Sequence, residues 1–130
     1  MVTELRLTRE EFKRRWPLVI RGIANDFATA LKRRCPVDEG LLRNSIRYAV
    51  EGERTIVVSM LHYAVYVEFG TPPHIIRPVN GKALHWKAGG KDVFATVVHH
   101  PGTQPNPFIR TTLRVDMPMI IKSNLLRHLG

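Results

Sequence analysis

The sequence is poor in sulfur, in acid and in long apolar runs, and each shortage excludes something. A single cysteine, Cys35, rules out an internal disulfide, and with no second thiol it offers neither a redox pair nor a zinc site. Placed directly before Pro36, it reads as a buried bystander rather than a nucleophile. No apolar stretch approaches the roughly 18 residues needed to cross a bilayer. The chain is charged from Glu4 onward, so neither a membrane span nor a signal peptide is expected, and a soluble protein made in a reducing cytoplasm is. No serine sits in a nucleophile elbow, and no glycine-rich loop ends in Lys-Ser/Thr. Carboxylates are too few to suggest a converging pair, since Asp38-Glu39 and Glu51-Gly52-Glu53 fall in turns. The six histidines, His62, His74, His85, His99, His100 and His128, have no pair at metalloprotease spacing and no cysteine partners for a finger. No enzyme activity, cofactor or metal is expected.

What the chain does have is positive charge. Twenty Lys and Arg stand against eleven Asp and Glu, a formal balance of +9. Residues 1–35 hold nine basic and four acidic side chains, residues 36–80 four and five, and residues 81–130 seven and two. Both ends are therefore basic and the middle is neutral, which favours polyanions or acidic protein partners by long-range attraction. At 130 residues the length suits one domain with a real core.

Thr8-Arg9-Glu10-Glu11 is a capping box, with Leu7 and Phe12 at the staple positions, so a helix starts here. Phe12, Trp16, Val19, Ile23, Phe27 and Ala30 follow at three- and four-residue steps and predict one apolar face as far as about Arg34. Pro17 predicts a kink or two helices sharing that face. Lys32, Arg33 and Arg34 suit the negative end of the helix dipole, and Pro36 is the stop. After a turn at Pro36–Gly40, Leu41 to Asn44 can make one helical turn. Ser45–Val50 and Thr55–Leu61 predict a strand hairpin across Glu51–Arg54. The near-continuous apolar run from Ile56 to Val67 predicts the centre of the core. Its end, His62 to Phe69, fits a short helix slightly better than a strand. Glu68, closing that run, should find an Arg, Lys or backbone N–H partner in this subunit or a neighbour, because a buried unpaired carboxylate is costly.

Between Gly70 and Pro107, glycine and proline recur, which predicts a long excursion with strands near 75–79, 83–87 and 92–98 and turns at Asn80-Gly81 and Gly89-Gly90. Asn106 can cap a helix beginning at Pro107, with Phe108, Thr112 and Val115 on one face. Asp116 and Pro118 predict a second cap or a kink before a C-terminal helix on Met117, Ile121, Leu125 and Leu129. The sum is an α+β domain over residues 1–130: a long N-terminal helix and a C-terminal helix packed on a small, mostly antiparallel sheet, with a long projecting loop or hairpin at about 70–107. Trp16, Trp86 and the tyrosines could stack on bases, so a basic nucleic-acid-binding module is an alternative reading, although no known DNA- or RNA-reading motif is present.

Three blocks resemble a known family. Pro36 to Ile46, Pro-Val-Asp-Glu-Gly-Leu-Leu-Arg-Asn-Ser-Ile, is similar to the "Pro, then Gly-Leu-Arg-x-Ser-Ile" segment of the neck and tail-completion proteins of long-tailed bacteriophages. Tyr63 to Thr71, containing Glu68, Phe69 and Gly70, resembles that family's "Tyr-Ala-x-x-x-Glu-Phe-Gly-Thr". His100, Pro101, Gly102 and Thr103, followed by Pro107 and Phe108, resemble its "His-Pro-Gly-Thr … Pro-Phe". The blocks stand in family order over about residues 9–115. The resemblance implies a non-enzymatic virion protein, made in the host cytoplasm, that forms a ring, commonly six-fold, at the head–tail junction. It also implies adjacent neck or tail proteins as partners, and the surplus of positive charge could face DNA in the channel. On that footing Tyr63, Glu68–Thr71, His100–Thr103, Pro107 and Phe108 are the candidate subunit-interface residues. Glu68 and Thr71 would fix the base of the excursion, and Phe108 would anchor its return.

Overall fold

A computed structural model describes residues 6–76, 84–95, 98–100 and 102–130. The capping box at Thr8 forms in full. The Glu11 N–H donates to Thr8 Oγ1 and the Thr8 N–H to Glu11 Oε2, each at 3.1 Å. It opens α1, Arg9–Arg34, a single helix that carries Pro17 inside it rather than breaking in two. Helix α2, Gly40–Ser45, follows the Pro36 turn. Strands β1, Arg47–Glu51, and β2, Thr55–Ser59, pair antiparallel around Gly52, which takes a positive φ of 64°. Helix α3 is Ala64–Phe69. Two further antiparallel pairs occupy the excursion. Strand β3, His74–Ile76, pairs with β6, Val98–His100, and β4, Leu84–Ala88, pairs with β5, Lys91–Ala95. Gly89 and Gly90, at φ 59° and 80°, make the tight β4–β5 turn that L side chains resist. The Asn80-Gly81 turn lies outside the described residues. The architecture is α+β, with both long helices and a small antiparallel sheet present.

The core gathers Phe27, Leu31, Cys35, Leu42, Ile46, Ala64 and Phe108. Burying Phe108 alone contributes about 2–3 kcal/mol. The Ile56–Val67 run is not its centre, as continuity of apolar residues had suggested. Strand β2 turns alternate side chains outward, and α3 lies on the surface with Val65 and Tyr66 exposed, so only one face of each element is inside. A run without polar punctuation carries no period, and the period decides which residues are buried. Similarly, Phe12 is 44 % exposed although it shares the apolar spacing of α1. Its ring stacks on Trp16 at 5.5 Å, while the Trp16 indole N–H donates to the Glu53 carbonyl at 2.7 Å and ties the helix to the hairpin turn.

Two expectations about the C-terminal half are corrected. Asn106 does not cap the following helix with its side chain: α4 is Phe108–Thr111, its N-cap position is Pro107, and the cap comes from elsewhere in the chain. Asp116 does not cap either. Residues 112–116 widen into one π-helical turn, and α5, Met117–Leu129, continues directly with Pro118 in its first turn. A proline lacks the N–H that an α-turn needs and crowds the carbonyl four residues before it, and a wider turn relieves both conflicts. Asp116 instead reaches α1, accepting from Arg34 Nε at 2.6 Å and Nη2 at 3.1 Å, with Arg33 Nη2 3.8 Å away. The Arg34 hydrogen bond holds the Asp116 carboxyl below the usual carboxylate range, against the opposing effect of burial. A depressed folded pKa adds stability above the unfolded value of about 3.9 that disappears as pH falls through the folded one. The urea midpoint should therefore fall below about pH 4, and Asp116→Asn should flatten that part of the profile.

Helices α1 and α5 pack closely at Gly22. The Asn124 side chain, fully buried, donates to Asp26 Oδ2 at 2.9 Å and to the Ile120 carbonyl at 2.8 Å. A Cβ on Gly22 would stand 2.0 Å from Asn124 Oδ1. Because Asn124 is fully buried and held by two hydrogen bonds that a retreat would strain, Gly22→Ala should destabilise by about 2 kcal/mol despite alanine's better helix propensity, read as a lowered denaturation midpoint. Gly22→Ala combined with Asn124→Ala should recover part of the loss.

Candidate functional site

Helix α3 ends where Gly70 turns the chain at φ 73°. Two residues earlier, Glu68 is 3 % exposed. Its carboxylate faces the start of α4, more than forty residues on, where the first N–H groups of the helix have no partners of their own. Glu68 Oε1 accepts from the Ile109 N–H at 2.7 Å, and Oε2 accepts from the Arg110 N–H at 3.2 Å and from Arg110 Nε at 2.7 Å. Arg110 Nη2 also donates to the Glu68 carbonyl at 3.3 Å, and its guanidinium lies 4.7 Å from the centre of the Phe69 ring. Arg110 thus neutralises the buried carboxylate, and Glu68 caps a helix at its positive end and fastens α3 to α4.

The next residues continue the fastening through the backbone. Thr71 and Thr103 exchange hydrogen bonds, N–H to carbonyl, at 3.1 and 3.0 Å, and their hydroxyls meet at 3.1 Å. Gly70 and Gly102 flank this bridge with positive φ, and both are crowded. A Cβ on Gly70 would come within 2.6 Å of the Thr103 carbonyl, and one on Gly102 within 2.3 Å of the Thr71 carbonyl. The Asn106 N–H donates to the Val67 carbonyl at 2.9 Å, and Phe108 is sunk in the core. Beyond the bridge the β3–β6 pair begins, with His100 opposite His74. Pro101 lies outside the described residues. The two later motif blocks therefore meet at one place, the base of the excursion, where they form a clamp.

The first block meets them from the side. The Pro36–Glu39 turn, α3 and the Thr103–Asn106 segment enclose an open cleft of about 500 Å3. Tyr63 and Tyr66 line it opposite Asp38 and Glu39. Burial and the neighbouring Glu39 carboxylate push the Tyr63 phenol up. Behind this turn, Arg43 Nη2 donates to the carbonyls of Cys35 and Pro36 at 3.2 and 3.0 Å, holding α1's end against α2. Sequence pattern alone did not single out Arg110, whose role depends on a contact across forty residues, nor the approach of Glu39 to Tyr63.

The family model described as "Bacteriophage HK97-gp10, putative tail-component" matches residues 6–70, half of the chain. The chain belongs to this family. The matched stretch runs from the capping box of α1 through α2, the hairpin and α3 to Gly70, so it contains the first motif block and the second up to Gly70, and stops at the clamp. Comparison with curated proteins and with solved structures gave no match. Membership makes the protein a structural component of a bacteriophage tail and locates it in the virion. No described helix of this HK97-gp10-like tail component is long and apolar enough to cross a membrane.

Proposed function

We propose that this tail component completes or terminates the tail as a ring at the head–tail junction, joining the tail to the head, with the chain acting as one domain and the 70–107 excursion gripping neighbouring copies. The observation that carries this reading is the clamp. A buried carboxylate, a two-way backbone bridge and two crowded glycines fix the root of a segment more than thirty residues long. A segment so firmly rooted can transmit load to a neighbour, which a loop with a loose base cannot. Exposed apolar side chains on α3 beside the clamp, Val65, Tyr66 and Phe69 among them, supply surface of the kind buried on assembly. A ring subunit needs two different patches that close on rotation, and adjacent neck or tail proteins would stack on the two ring faces. The test is genetic. Phage lacking the protein should accumulate filled heads and separate tails. A protein missing from purified virions, whose loss leaves heads and tails joined normally, ends the reading.

A further inference from the structure

The cleft between the Pro36–Glu39 turn and α3 combines carboxylates with a broad apolar rim. Asp38 and Glu39 sit on one wall and Tyr66, 56 % exposed, on the other. Val37 and Leu41, beside the acidic wall, are 88 % and 77 % exposed. Asp38 makes no ion pair among the described residues, whereas Glu68 and Asp116 are each matched to arginine. A complementary partner would be a basic side-chain pair set around an aromatic ring.

That complement exists on the same chain. Arg9, Phe12 and Lys13 stand at i, i+3 and i+4 in the first turns of α1 and share one exposed face. Glu11 is on the far side and occupied by the capping box, and Glu10, three residues before Lys13, borders the patch on its Lys13 side. The two patches cannot meet within one molecule. The cleft follows the C-terminal end of α1 and the basic patch lies at its N-terminal end, separated along a 26-residue helix by roughly 35 Å.

We propose that the acidic cleft of one copy receives the Arg9–Phe12–Lys13 face of the next, a head-to-tail contact between copies of this chain. Opposite charges meet on opposite ends of a rigid rod, so each docking event leaves one free cleft and one free patch. Such a contact propagates until it closes on itself. DNA is a poor occupant of the same cleft, because its phosphates would face Asp38 and Glu39. The inference deepens the ring reading and rests on it, naming the surfaces that join the subunits.

Sedimentation equilibrium at 0.15 M salt tests it with four samples, each checked for native circular dichroism. The unaltered chain should self-associate with rising concentration. Asp38→Lys with Glu39→Lys, and separately Arg9→Glu with Lys13→Glu, should each weaken association at least ten-fold. An equimolar mixture of the two variants should restore it, because each reversed patch then finds a reversed counterpart and each unaltered one an unaltered counterpart. An unaltered chain that stays monomeric at every concentration overturns the proposal, as does association indifferent to the reversals or a mixture that stays apart. Reversal that spares self-association but blocks incorporation into particles assigns the cleft to a different virion protein and also overturns it. A ring closed through another surface would remove this contact while leaving the proposed function intact.

Discussion

Glu68→Ala should lower the stability of the protein by about 3 kcal/mol, among the largest effects of any single side-chain truncation outside the apolar core. The reason is what the substitution leaves behind. The Ile109 and Arg110 N–H groups, both capped by the carboxylate, lose their acceptors in a part-buried setting, and Arg110 loses its partner. Unmet donors cost about 1–3 kcal/mol each when water cannot reach them. The Arg110 side chain is 56 % exposed and can re-solvate, so its share is small and the total stays near the lower end of the range for a broken buried ion pair. Two companions separate the contributions. Arg110→Met should cost less, about 1–2 kcal/mol, because the carboxylate it leaves buried without a counter-charge still accepts from the Ile109 and Arg110 N–H groups. Glu68→Gln keeps one oxygen for an N–H but loses the charge and the second acceptor, and should fall between the two. Urea denaturation measures all three, and equal effects from Glu68→Ala and Arg110→Met would mean that the ion pair, not the helix cap, carries the energy.

Gly102→Ala should be as damaging, for a backbone reason. Its φ of 85° already disfavours any side chain, at a cost of about 1–2 kcal/mol. The added methyl would also stand 2.3 Å from the Thr71 carbonyl oxygen, an atom that accepts from the Thr103 N–H and cannot withdraw without opening the bridge. Gly70→Ala meets the same bridge from the other side, 2.6 Å from the Thr103 carbonyl. Gly52→Ala is the control, since it has a positive φ of 64° and nothing within 4 Å. It should lose only the conformational share, about 1 kcal/mol. Amide hydrogen exchange at Thr71 and Thr103 reads the difference directly. Both amides should lose protection in Gly102→Ala and keep it in Gly52→Ala. Preserved protection in Gly102→Ala would show that the bridge tolerates the methyl.

These two predictions lie where the sequence was only half legible. The capping box at Thr8, the stop at Pro36, the strand hairpin and the helical C-terminus follow from local chemistry and are present, and the helix at Ala64 resolves a stretch whose pattern only slightly favoured helix over strand. That Glu68 needs a positive or N–H partner also follows from the cost of burying a carboxylate. Its identity does not, because nothing local to residue 68 points to residues 109 and 110. The same blindness made Asn106 the expected cap, since a residue just before a helix is the nearest acceptor in sequence but not in space. Glycine within the long helix at residue 22 was a cue to the close approach of α5, and Pro118 a cue to the π-helical turn. Neither cue says which partner or which pitch. The misassigned core at Ile56–Val67 has a different cause: uninterrupted apolar sequence hides the alternation that would show which half faces water, and in this protein Val57, Leu61, Val65 and Tyr66 are in the exposed half.

The most direct measurement is a reconstruction of the intact virion at a resolution that traces side chains. The account predicts a closed ring of this chain at the boundary between head and tail, with each 70–107 excursion lying against an adjacent copy and each clamp intact at its root. Copies placed away from that boundary, or excursions folded back on their own subunit with no neighbour in contact, would contradict it.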